Sequence, residues 1–166
     1  MAKSFRINED ALEVLREEAR SETLSLNTLV NQLLVSYAQF GRYLKRMNNL
    51  RVSRQTLTEL INPLSEDLII KAGQNAGNSA PRALMAAIDG EMTVTTVISL
   101  MHNLSAHANW FEYTEKNEGE HSTITLMHEM GRNWFLFIAH YFTAAFAAAG
   151  CKAKYEVADR YVTFAV

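Results

Sequence analysis

Near the start of the chain, Ser4, Arg6 and Asn8 recur at every second position, and each carries a hydrogen-bonding side chain. In an extended strand that spacing puts all three on one face, with Phe5 and Ile7 on the other. A row of this kind can read base edges. A two-stranded ribbon fits the major groove of B-DNA, and an arginine such as Arg6 can bond O6 and N7 of guanine together. The charge pattern suits the same chemistry. No acidic residue occurs between Glu22 and Glu59, a window that holds Arg42, Lys45, Arg46, Arg51 and Arg54. Residues 1–54 hold nine basic and six acidic residues, a balance of +3; the rest hold seven basic and twelve acidic, a balance of −5, which recovers the formal −2 of the chain. A locally basic segment attracts phosphate whatever the overall sign, because screening limits charge effects to about 8 Å at physiological salt.

The other reactive residues are dispersed. Of five histidines, His107 and His128 would stand roughly opposite each other if a hairpin turns near residue 118, with Cys151 or a carboxylate completing a metal shell. No H-x-x-x-H, H-E-x-x-H or C-x-x-C spacing enforces coordination, so no metal is expected. Cys151 follows an apolar helical stretch, whose C-terminal dipole disfavours a thiolate. There is no glycine elbow around a nucleophile and no glycine-rich phosphate loop. Glu112 and Glu129 flank the same hairpin and read as solvated strand residues. Neither an enzyme nor a cofactor is expected.

The elements that must position the first row are short. Residues 3–8 form one strand, and an isolated strand is unstable in water. A second copy of the chain, pairing antiparallel, would complete it. Asn8 is a good N-cap for the helix that follows, with Glu9 and Asp10 at its positive end. Leu12, Leu15 and Ala19 recur at helical spacing, and the pattern breaks at Ser21–Leu24. Ser25 caps a second helix with Leu26, Leu29, Val30, Leu33, Leu34 and Tyr37 as its apolar positions, ending near Phe40 with Gly41 as its stop. That stripe is too broad for a surface helix. It predicts a dimer core of Phe5, Ile7, Leu29 and Leu33.

With this strand-helix-helix order, residues 4–37 resemble the ribbon-helix-helix repressors of the Arc and MetJ type, over about a quarter of the chain. The resemblance implies an intertwined homodimer on double-stranded DNA. It implies that Ser4, Arg6 and Asn8 face the bases, and that the second helix grips a phosphate through its start at Ser25, Leu26 and Asn27. A helix N-terminus with free N–H groups is a general anion site. Lys3, Arg42, Lys45 and Arg46 are the further backbone contacts expected from the basic segment.

The remainder reads as regular structure, with two prolines and seven glycines in 166 residues. Residues 42–52 form a linker. Helices are expected over 53–61, 65–75, 81–88 and 93–104, with a break at 76–80 around Gly77 and Pro81. Strands at 108–114 and 122–128 form one hairpin, and strands at 152–157 and 161–166 another, with an aromatic helix at 133–149 between them. The expected fold is therefore α+β: a ribbon-helix-helix domain over 1–41, then a domain over 53–166 with a four-stranded antiparallel sheet and a long helix on one face. The order of hairpin, Gly131, aromatic helix and terminal hairpin in 106–166 resembles sensing domains of the 4-vinyl reductase type. The cysteines that often mark that family's terminal hairpin are absent, so no binding residue carries over. Trp110, Trp134, Phe137 and Tyr141 are the candidate lining of a pocket for a small apolar effector.

No apolar run reaches the roughly 18 residues of a membrane span, and Met-Ala-Lys-Ser lacks a signal-peptide core. The single cysteine suits a reducing cytosol. These readings converge on a cytoplasmic, prokaryotic type of transcription regulator: a DNA-binding dimer whose second domain oligomerises or senses a ligand. The alternatives are an antitoxin-like protein that neutralises a partner, and a ligand-binding oligomer whose N-terminus only dimerises.

Overall fold

The computed structural model describes residues 6–46, 50–119, 121–158 and 160–166. They divide into two compact units, 1–42 and 43–166, each treated by itself.

In the first unit, helix α1 (Glu9–Ser21) starts at Asn8, whose Oδ1 accepts from the N–H of Asp10 at 2.9 Å and of Ala11 at 3.4 Å. The helix closes on Thr23 in the left-handed region (φ +58°), with the Leu24 N–H donating to the Ala19 carbonyl at 2.8 Å. This is a Schellman closure built on a residue other than the usual glycine. Helix α2 (Leu26–Ser36) begins at Ser25, whose Oγ accepts from the Thr28 N–H at 3.1 Å. Gly41 does not stop it. The chain passes through a π-helical turn, Tyr37–Gly41, into α3 (Arg42–Arg46). A β-carbon at Gly41 would lie 3.3 Å from the Tyr37 ring, so the glycine makes room for that ring inside the turn.

The ribbon is not seen. Arg6–Asn8 form no ladder, and Lys3, Ser4 and Phe5 lie outside the described residues. A strand needs a partner for its backbone groups, and the Asn8 side chain is drawn into the helix cap instead. The expected dimer core is likewise incomplete within one chain. Leu29 is buried, whereas Ile7 and Leu33 are exposed.

The second unit opens with α4 (Arg54–Ile61), capped by Ser53 Oγ accepting from the Thr56 N–H at 3.1 Å. Helix α5 (Glu66–Ala87) is one continuous element, where two helices meeting near 76–80 were expected. Proline 81 costs it one backbone bond and crowds the carbonyl four residues earlier. Packing compensates: Ile69, Gly73, Gly77, Pro81 and Leu84 form one buried row along the helix, and α5 makes the most extensive helix contact of the unit, with α7. The glycines are there for proximity, since a β-carbon on Gly73 would lie 2.6 Å from the Phe137 carbonyl oxygen.

Helix α6 (Val94–Ala108) carries a capping box, in which Thr93 Oγ1 accepts from the Thr96 N–H at 3.2 Å and Thr96 Oγ1 from the Thr93 N–H at 2.8 Å. It runs past the expected end at residue 104 because Asn109, at φ +54°, closes it four residues later. The first strand is displaced accordingly. The sheet consists of β1 (Glu112–Glu118), β2 (His121–Met127), β3 (Lys154–Val157) and β4 (Tyr161–Ala165), all antiparallel in the order β1-β2-β4-β3. Helix α7 (Arg132–Ala148) packs on one face. Ile124, Leu126, Val162 and Phe164 are fully buried beneath it, with the Phe142 and Phe146 rings against Phe164. The alternate strand positions Thr114, Thr125 and Thr163 line up across the other face. Fold class is therefore α+β, with the four-stranded antiparallel sheet and packed helix in place. No helix is long and apolar enough to cross a membrane among the described residues.

Candidate functional site

The candidate DNA-contacting residues fall in the first unit, except Lys45 and Arg46 at the start of the second. Arg6 is exposed immediately before α1. Asn8 is less available, because its Oδ1 is committed to the α1 cap. At the start of α2 the side chain of Ser25 is held by Thr28, with a shared hydrogen bond of 2.7 Å between their hydroxyls, while Asn27 is exposed and Leu26 half-buried. The Thr28 N–H of this first turn is taken by Ser25 Oγ, and the N–H groups of Leu26 and Asn27 point out of the helix end, as an anion site requires. Arg42 opens α3, and Lys45 and Arg46 follow on the same short helix. Lys3 and Ser4 lie outside the described residues. Of the basic window, Arg54 is engaged elsewhere: its Nη2 donates to the Asn109 side-chain oxygen at 2.6 Å and to the Asn109 carbonyl at 3.1 Å.

In the second unit, the four candidate pocket residues do come together. The Trp110 ring centroid lies 5.2 Å from Trp134, 5.7 Å from Tyr141 and 6.3 Å from Phe137. Trp134 stacks on Phe137 at 5.1 Å, and its Nε1 donates to the Trp110 carbonyl at 3.1 Å. Edge-to-face and offset contacts at these distances are what aromatic cores adopt. Trp134 and Tyr141 are buried, and burial pushes the Tyr141 phenol well above its ordinary range. The cluster is held by its own rings.

A cleft of about 500 Å³ lies at one end of the sheet instead, lined by Glu112, Met127, His128, Glu129, Gly131 and Arg160. Glu112 on β1 pairs with Met127 on β2, and Met127 pairs with Tyr161 on β4, so the register carries Arg160 to the far side of the cleft from Glu112. All three charged residues are exposed, and none makes an ion pair within 4 Å among the described residues. Glu112 and Glu129, read from sequence as solvated, both border the cleft.

His128 is the most constrained group there. Its ring stacks on Phe135 at 3.7 Å and meets Trp134 edge-on at 6.2 Å. Its Nδ1 accepts from the Met130 N–H at 2.9 Å, which leaves the proton of the neutral imidazole on Nε2. That atom is buried and has no hydrogen-bond partner. Burial first, and the nearby Arg54 cation second, push its pKa down to about 3. Sequence reasoning raised this residue only as a possible metal partner of His107 and not as a packed imidazole, although strand parity pointed to that: Ile124 and Leu126 face inward, and His128 continues their phase. His107 belongs to α6, and Cys151 is a free, half-exposed thiol. No group of three or more His, Cys, Asp or Glu able to hold a metal occurs among the described residues.

The outer elements are tied down around this cleft. Asn133 Nδ2, at the start of α7, donates to the carbonyls of Ile61 at 2.9 Å and Leu64 at 3.0 Å, closing the end of α4. Arg132 bridges to Glu66 at 2.8 Å across the first turns of α7 and α5.

Compared with known proteins, the chain matches no family model, no curated protein and no solved structure.

Proposed function

We propose that the protein is a sequence-specific DNA-binding transcription regulator of the ribbon-helix-helix type, acting as a homodimer, with a second unit that oligomerises or senses a small molecule. The observation that carries this reading is the apolar face of α2. Leu29 is buried at 5% exposure, but Leu33, Leu34 and Tyr37, next along the same face, are 50%, 56% and 56% exposed. Only Ala19, Leu29 and Phe40 are buried hydrophobic residues among the described part of residues 1–42. A unit of that size needs a larger core to persist. A second copy laid against α2 supplies it, and pairs the residues before α1 into a ribbon that carries Arg6. The first turn of α2 then meets a phosphate, and the basic residues from Arg42 onward add non-specific attraction for the DNA backbone.

The test is a gel shift of the full chain against random DNA at low and moderate salt, followed by operator selection. Arg6→Ala should then weaken binding to the selected operator by about 1–3 kcal/mol per contacted base and relax its sequence preference. Equal affinity and specificity for the variant would refute the base-reading role.

A further inference from the structure

We propose that the cleft at the end of the sheet binds a small zwitterion of the amino-acid class, with its ammonium group against Glu112 and Glu129, its carboxylate against Arg160, and its apolar part over Met127. The inference deepens the sensing role proposed above and places it away from the aromatic cluster.

Two observations carry it. The first is size: about 500 Å³ falls within the roughly 300–1,000 Å³ of small-molecule sites. The second is charge: two carboxylates and one guanidinium border the cleft, and among the described residues none of them answers another in an ion pair. Glu112 is on β1 and Arg160 directly precedes β4, with β2 between the two strands, so their backbones stand roughly two strand spacings apart, about 10 Å. After the two side chains extend inward, that span suits a short molecule with one charge at each end. A dicarboxylate or a polyamine would leave charge of one sign unanswered.

The experiment titrates the full chain, without DNA, with free α-amino acids, following Trp134 fluorescence and isothermal heat. 4-Methylpentanoate and 3-methylbutylamine serve as the acid-only and amine-only counterparts of leucine. At least one amino acid should bind, with its single-charge counterparts weaker by about tenfold or more, as expected when a charge-assisted hydrogen bond is lost. Glu112→Gln keeps the side chain's shape and Arg160→Gln shortens an exposed one, both removing the charge, and each should weaken binding by a similar factor. The proposal is overturned if no amino acid binds at about 10 mM, weaker than any useful sensor. It is also overturned if a single-charge counterpart or either variant binds as tightly. Because no DNA is present, a null titration leaves the gel-shift result standing, and a failed gel shift leaves the cleft standing.

Discussion

Replacing Gly77 with alanine should destabilise the second unit severely, and the sign of the effect is the informative part. In a helix interior, alanine is favoured over glycine by about 1 kcal/mol. Position 77 reverses that preference, because the added β-carbon would lie 2.7 Å from the Tyr141 carbonyl carbon and 2.8 Å from its Cα, inside the reach of the carbonyl oxygen as well. Carbon atoms settle about 3.5–4.0 Å apart, so α5 and α7 must separate locally by about 1 Å. The obstacle is backbone, which cannot swing aside as a side chain can. Overpacking in a tight core costs about 1–3 kcal/mol, and parting this seam also loosens Ile69, Gly73 and Leu84 in the same buried row. We expect a net loss of about 3 kcal/mol after the helix-propensity gain. For a unit of this size each kcal/mol moves Tm by about 3–6 °C, so Tm should fall by about 10 °C or more. Thermal unfolding of the full chain followed by circular dichroism, with two transitions resolved if the units melt separately, measures this. An unchanged or raised Tm for the second unit would falsify the close approach of the two helices.

Gly73→Ala meets the Phe137 carbonyl oxygen at 2.6 Å and should lower the same transition by a comparable amount. Thr23→Gly should do the opposite in the first unit, because a β-branched residue held at φ +58° is strained; a gain of about 1 kcal/mol in denaturant unfolding is expected. His128→Phe keeps the stacking on Phe135 but removes the titration. The folded protein holds His128 neutral down to about pH 3, whereas the unfolded chain protonates it near 6.5, so its penalty is absent above pH 6.5 and grows as pH falls towards 3. The variant should therefore lose less stability than the parent between pH 6.5 and 4, and parallel pH profiles would refute the assignment. Leu33→Asp, on the exposed face of α2, should convert a dimer to a monomer in sedimentation while leaving the second unit's melting unchanged; an unaltered dimer would remove that face from the interface.

Capping chemistry made much of this architecture legible. Asn8, Ser25, Ser53 and Thr93 each begin the helix that their side chains announce, because a short oxygen-bearing side chain satisfies the first free N–H groups wherever the chain turns helical. The two hairpins and the aromatic helix between them were readable from alternation and from apolar density. Longer-range packing was not. Nothing local reveals that Gly73 and Gly77 let α5 lie against the α7 backbone, so Gly77 and Pro81 read as a break when they belong to one helix. The reach of α6 depended on Asn109 accepting a left-handed conformation and on the Arg54 side chain holding it from a distant helix. Trp110, Trp134, Phe137 and Tyr141 were found as a group, since three share one helical face. The cleft was not found, because its walls come from both hairpins and meet only through the β2–β4 register.

That register also bears on how the chain folds. The β1-β2 and β3-β4 pairings are hairpins whose turns close short loops, and such contacts form quickly. Joining β2 to β4 is different, because Met127 pairs with Tyr161 and all of α7 lies between them. Closing that loop has little to reward it until α7 docks on the inner faces of both hairpins, where Phe142 and Phe146 meet Phe164. Helix docking and hairpin joining should then share one transition state. Substitutions at Phe142 or Phe164 should slow folding, whereas changes at the Gly119 turn should chiefly affect how fast the first hairpin forms and leave the barrier to the complete sheet in place.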